Sequence, residues 1–252
     1  MIPGKSLILK CPHCGGEKEV VSLVSGNTCG ATLWSDQRFF APMLPKVSAV
    51  QRCPHCGHYF FSYKQECNKH SNGFTLKTGY VNYSHMKKAM DELLKNDLEK
   101  VDEFNLRLLM AQSYNDWFYR SDKDNGIPEE DEVKFFNDNI MKLISGFPQR
   151  MKDGEFLKSD LLREAGEFED ALHTLPQKTD FNQDYHILID KEILAIKEHR
   201  TCPFIVWGEY QKISLEMDYY DIHIGDIAHQ EDPRRIHEIL EKLIRDSHSK
   251  NE

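Results

Sequence analysis

The chain has 252 residues, 40% hydrophobic and 29% charged, and its net charge of −9 divides into +5 over residues 1–80 (nine Lys/Arg, four Asp/Glu) and −14 over the remainder. This composition excludes a disordered chain and leaves room for one large domain or two modest ones. No apolar run reaches the length of a membrane span, and the opening MIPGKSLILK is too short an apolar stretch for export, so no membrane association is expected.

In chain order, Ser6-Leu7-Ile8-Leu9 predicts a strand leading into Cys11-Pro12-His13-Cys14-Gly15. Val20-Val21-Ser22-Leu23-Val24 predicts the strand that follows. The five-residue motif then returns as Cys53-Pro54-His55-Cys56-Gly57, with Tyr59-Phe60-Phe61 as the next strand. Two CxxC pairs supply four thiolates, the full tetrahedral complement of a structural zinc ion. A CxxC spacing lets both sulfurs face one point from a single tight turn. Proline fixes φ on entry, and glycine accepts the positive φ that turns backbone amides toward the sulfurs.

The alternatives are a disulfide, a redox pair or an iron site. Seven cysteines are an odd number and no export signal is read, which favours a reducing cytoplasm and metal over disulfides; a redox CxxC accounts for one pair and not for two matched ones. Cys11, Cys14, Cys53 and Cys56 are therefore the expected zinc ligands. Four sulfurs leave no open position for water or substrate, so the ion is structural rather than catalytic. His13, His55 and His58 are expected beside the site or at the surface, and Cys29, Cys67 and Cys202 are left over. Each motif resembles a zinc knuckle, and over about residues 8–80 the pair resembles a zinc ribbon. One departure is that 38 residues separate Cys14 from Cys53, against about 15–20 in the compact pattern. That implies an inserted hairpin or long loop near Ser25-Gly26-Asn27 and Trp34-Ser35-Asp36. Phe39 to Pro45, with two prolines, is expected to run extended over the ribbon.

From Ser84 the apolar period becomes helical. Met86, Ala89, Met90, Leu93 and Leu94 share a face, with Ser84 as the expected N-cap. A second helix is predicted from Asp97 to about Tyr119 on a stripe of Leu98, Val101, Phe104 and Leu108. A third begins near Pro128, with Val133, Phe136, Ile140, Leu143 and Ile144 in its core, and ends at Gly146. Residues 156–176 resemble a tetratricopeptide repeat unit: Gly166 stands at the turn, Phe168 two residues later, and Ala171 where the second helix packs closely. The early Trp/Leu-Gly signature is missing and no second copy stands out, so an ordinary helical hairpin competes with a repeat. Tyr185 to His199 predicts another helix. Phe204–Trp207 and Ile222–Ile224 read as short strands, and Pro233 opens a last amphipathic helix through Ile244.

Other motifs fail. Asp122-Lys-Asp-Asn-Gly126 puts Ser121 and Lys123 where a calcium loop needs its first oxygen ligands, and His223, Asp226 and His229 fit no ligand spacing. No phosphate loop, nucleophile elbow or HExxH pattern occurs. The sequence thus predicts an α+β protein: a β-rich zinc ribbon over 1–80, then a mainly α-helical, TPR-like region over 81–252. As a whole it resembles an uncharacterised bacterial family that opens with paired Cys-Pro-x-Cys knuckles and continues in TPR-type helices, a resemblance that implies no activity. The expected function is a zinc-binding module for another protein. The alternatives are nucleic-acid binding through the basic residues 1–80, with Trp34, Phe39, Phe40, Tyr59, Phe60, Phe61 and Tyr63 as stacking rings, and an enzyme with a site between ribbon and helices.

Overall fold

The computed structural model describes residues 1–65, 70–121, 125–148, 154–176 and 183–208. Cys67, the 122–124 segment, the 222–224 strand, the His223 group and the helix expected after Pro233 lie outside these residues. The described chain divides into two compact units, 1–30 with 41–81 and 31–40 with 82–208.

The first unit is built from antiparallel hairpins. Strand β1 (Ile2–Pro3) pairs with β4 (Leu23–Ser25). Strands β2 (Leu7–Lys10) and β3 (Glu17–Val20) pair in the register Leu7 to Val20 and Lys10 to Glu17. Strands β7 (Val50–Arg52) and β8 (Tyr59–Phe61) pair with Val50 opposite Phe61. The expected Val20–Val24 strand is split in two, and β7 went unread because three residues, Val50-Gln51-Arg52, carry too little pattern. The apolar core is small. Leu9, Val20 and Phe60 pack with Cys11 and Cys53, and Val21 with Leu76 makes a second patch.

The second unit is helical and carries a three-stranded sheet. Strand β5 (Thr32–Trp34) lies between β6 (Phe39–Phe40) and β9 (Ile205–Trp207). Of the hairpin or long loop expected between the knuckles, a hairpin is present, and Phe39–Phe40, read as part of an extended segment, pairs with β5 and belongs to the helical unit. The hairpin's turn is set by Asp36, whose Oδ1 accepts the Arg38 amide, and by Gln37 at φ +60°.

Helix α1 (Tyr83–Leu93) starts at Asn82, whose side chain accepts the His85 amide, so Asn82 and not Ser84 is the N-cap. Helix α2 (Lys100–Asn115) continues into a π-helical turn, Asp116–Arg120. Its buried face is not the expected stripe. Val101 is exposed and Leu108 half-buried, while Asp102, Phe104, Leu106, Arg107, Met110 and Tyr114 are buried. The polar members of that face hide it from an apolar count. Helix α3 (Glu130–Ser145) buries Phe136, Ile140 and Leu143 and ends at Gly146, as read; Val133 is exposed. The acidic first turn of α3 suits the helix dipole, and Glu132 also accepts from Lys87 and Tyr83.

Helices α4 (Gly154–Glu164) and α5 (Phe168–Thr174) turn about Gly166 at φ +85°, and Ala171 is fully buried with its carbonyl accepting from Ser159. Helix α6 (Gln183–Lys197) follows. Helix α4 packs against α3, α5 and α6 and is buried on nearly every side.

The hairpin is anchored by charge. Asp36 meets Arg120 in a two-pronged pair at 2.8 and 2.9 Å, both side chains fully buried, and accepts a third bond from Asn115 at 3.0 Å. Burial opposes ionisation of Asp36, yet Arg120 and the Asn115 and Arg38 donors hold its carboxyl below the usual range. Asp36→Asn breaks the two-pronged pair, leaves Arg120 with Asp116 as its counter-ion, and is expected to cost about 1.5–3 kcal/mol. Urea unfolding followed by helical circular dichroism measures it, and a loss below about 1 kcal/mol, the scale of an exposed pair, would show that the hairpin is held by other contacts.

Candidate metal centre

Each knuckle is the tip of a β-hairpin, β2–β3 carrying residues 11–16 and β7–β8 carrying residues 53–58. Both tips close with the same bonds. The Cys11 amide donates to the Gly16 carbonyl at 2.8 Å and the Gly15 amide to Cys11 at 2.9 Å; the Cys53 amide donates to His58 at 2.8 Å and the Gly57 amide to Cys53 at 3.1 Å. Gly15 and Gly57 take φ of +72° and +79°, the left-handed turn the motif needs and a side chain resists.

The two tips bring four sulfurs within 4.8 Å of one another. Cys11 Sγ lies 3.7 Å from Cys56 Sγ, and Cys14 Sγ lies 3.7 Å from Cys53 Sγ. A zinc–sulfur bond of about 2.3 Å makes the edge of a regular tetrahedron about 3.8 Å, and a disulfide would need about 2.05 Å. The close pairs join one tip to the other, so an ion at the centre ties both hairpins together. The four ligands read from sequence are therefore brought together, and they fit zinc.

Backbone amides complete the site. The Gly16 amide donates to Cys14 Sγ and the His55 amide to Cys53 Sγ, each at 3.4 Å. Burial works against ionising Cys53, but the amides of Cys56 and His55 and the neighbouring thiols bring its pKa down to about 6. The His58 amide favours the Cys56 thiolate, yet desolvation and the other three thiols push its pKa up to about 12. One thiolate forms readily and the next is resisted by the first. A dication at the centre removes that conflict.

The histidines stand outside the sulfur cluster. His13 and His58, one from each tip, stack with ring centroids 3.8 Å apart, and His55 Nε2 lies 3.1 Å from the Glu17 carbonyl. Cys29 is exposed and Cys202 half-buried, and neither joins the cluster. Among the described residues no other group of His, Cys, Asp or Glu converges at metal distance. No family model, curated protein or solved structure matches this chain. The metal assignment rests on the geometry. The amides turned toward sulfur were expected from the glycine at each turn; what sequence reasoning did not find is the cross-pairing of sulfurs between tips.

Removing the ion should unfold the first unit, because its core is too small to stand alone. With a chelator, or in Cys14→Ser, the amides of β2, β3, β7 and β8 are expected to lose hydrogen-exchange protection while Trp34 and the helices keep theirs. Full zinc content and unchanged protection of those strands in Cys14→Ser would contradict the assignment. Acid should release the metal as well, since protons compete for the thiolates; metal content after dialysis at falling pH reads this directly.

Proposed function

We propose that the chain is a zinc-stabilised binding protein. A structural zinc ion held by four cysteines shapes the amino-terminal ribbon, and the TPR-like helical region engages another protein in the cytoplasm. The observation that carries this reading is the closed sulfur tetrahedron: with four cysteines at ligand distance, the ion has no position left for water or substrate. A role in folding and presentation follows more directly than one in chemistry.

Helix α6 supplies the surface for the partner. Ile187 and Leu194 are each half exposed and stand seven residues apart, on one helical face. A lone exposed apolar side chain needs no explanation, but two in line along a helix offer a stripe that an apolar partner can cover. The nucleic-acid alternative gains no support from the proposed stacking rings. Trp34, Tyr59, Phe60 and Phe61 are buried, and of the seven only Tyr63 is strongly exposed.

The double variant Ile187→Asp, Leu194→Asp should keep its zinc and its helical circular dichroism while losing, by tenfold or more (about 1.4 kcal/mol), whatever protein the wild type retains in affinity capture from its own cell. Equal capture by the variant would remove α6 from the reading. Salt-sensitive retention of RNA or DNA by the full chain in place of a protein would replace the reading with the nucleic-acid one.

A further inference from the structure

The interior of the helical unit holds more negative charge than its cations balance. Five carboxyls, Asp36, Asp116, Asp160, Glu164 and Glu192, form one buried network with three guanidiniums, Arg38, Arg120 and Arg163. Asp36 and Asp116 share Arg120, and Asp116 also meets Arg38 at 2.7 Å. Arg163 is divided among the others. It pairs with Asp160, reaches Glu192 at 3.0 and 3.1 Å, and gives its remaining donors to the carbonyls of Arg200 and Cys202.

Glu164 has only a distant cation. One of its oxygens accepts from Asn115 at 2.9 Å. The other accepts no hydrogen bond and lies 4.0 Å from Arg163 Nη2. Asp160 Oδ2 is likewise buried and accepts no well-formed hydrogen bond, and Ser35 and Glu192 are the groups beside this carboxyl other than Arg163. Two carboxylates cannot bond to each other unless a proton lies between them. The surplus is two charges. A metal ion is not the answer, because these oxygens do not converge on one point as the four sulfurs do.

We infer that the helical unit folds with two protons held in its interior, one on Glu164 and one shared by Asp160 and Glu192, so that the unit loosens as the pH rises. The protonation of these groups follows from their surroundings on every side. Burial and the charges of Asp160 and Asp36 raise Glu164 well above the usual carboxyl range, against Arg163 and Asn115. Burial and Asp160 push Glu192 up to about 8, and Asp160 is raised by burial despite Arg163. Tyr114 and Tyr119, from α2 and the π-helical turn, are both raised and stay neutral; Cys202 lies beside Tyr119. The hairpin adds Asp36 and Arg38, and the π-helical turn adds Asp116 and Arg120. The sign is set by linkage. Unfolded carboxyls lose their protons near pH 4, whereas Glu192 keeps its proton to about pH 8 and Glu164 is shifted in the same direction, so above pH 4 the native state binds more protons than the unfolded one and stability falls with rising pH.

The test is urea unfolding of the full zinc-loaded chain, followed by helical circular dichroism at several pH values between about 5 and 8. The unfolding constant should rise with pH, approaching a hundredfold per unit for two protons. Glu164→Gln and Glu192→Gln, whose amides stand in for neutral acids, should fold and cut the dependence to about tenfold per unit each. A flat or reversed wild-type profile overturns the inference, as does a Glu164→Gln profile as steep as the wild type. So does stabilisation by potassium or magnesium at fixed ionic strength that Glu164→Gln abolishes, which would put a cation where we put a proton. If the variants do not fold, the infrared carbonyl band of a neutral carboxylic acid decides on the wild type: its presence in the native chain at neutral pH supports the inference, and its absence sinks it.

Discussion

Four cysteine sulfurs held within 4.8 Å of one another cannot all ionise unless a cation joins them, and the first unit is arranged around that fact. Its two hairpins differ in sequence outside the tips, yet they close with matching hydrogen bonds and matching left-handed glycines. The strands are three or four residues long and bury a handful of apolar side chains. Hairpins of that size are marginal in water. An ion whose closest sulfur pairs run from tip to tip supplies the cross-link that the apolar contacts are too few to provide.

The helical unit meets a related difficulty by other means. Helix α4 is surrounded by neighbours, so Asp160, Arg163 and Glu164 are buried with Phe156, Leu157 and Leu161. Taking ions out of water costs several kcal/mol each unless each finds a partner. Arg120 and Arg163 serve as the hubs, each satisfying carboxyls from different elements: the hairpin and the π-helical turn for Arg120, α4 and α6 for Arg163. The π-helical turn places Asp116 and Arg120 in direct contact with each other and with the hairpin. Such insertions recur at functional sites; here the visible consequence is the seating of Asp36.

The metal ligands were legible because their chemistry is local. Two short motifs name four sulfurs, and the glycine in each announces its turn. Helices α3 and α6 were legible for a similar reason, since their apolar period and end signals lie within one segment. Helix α2 was misread because its inner face carries Asp102 and Arg107, residues that an apolar count assigns to water. The partner of Arg120 could not be found from local pattern at all, for Asp36 stands 84 residues earlier on a hairpin between the two knuckles. The Gly166 turn and the buried Ala171 match the reading of residues 156–176, but that match is one helical hairpin. A helix buried on nearly all sides, as α4 is, offers little free surface, which is why the exposed stripe on α6 carries the binding proposal.

The two units also answer to pH in opposite senses. Zinc needs thiolates, so protons drive the first unit toward its metal-free, unfolded form. The helical unit, on the proton count of its buried carboxyls, is strongest where those carboxyls keep their protons and weakens as they are drawn off. Asp36 and Glu132, both lowered by their cationic or hydroxyl partners, set a floor beneath that, because the stability they contribute is lost only when strong acid protonates them. The chain should therefore have no single pH of greatest stability. Melting curves resolved into a ribbon transition and a helical transition should move apart on one side of neutrality and together on the other, since one midpoint climbs with pH while the other falls.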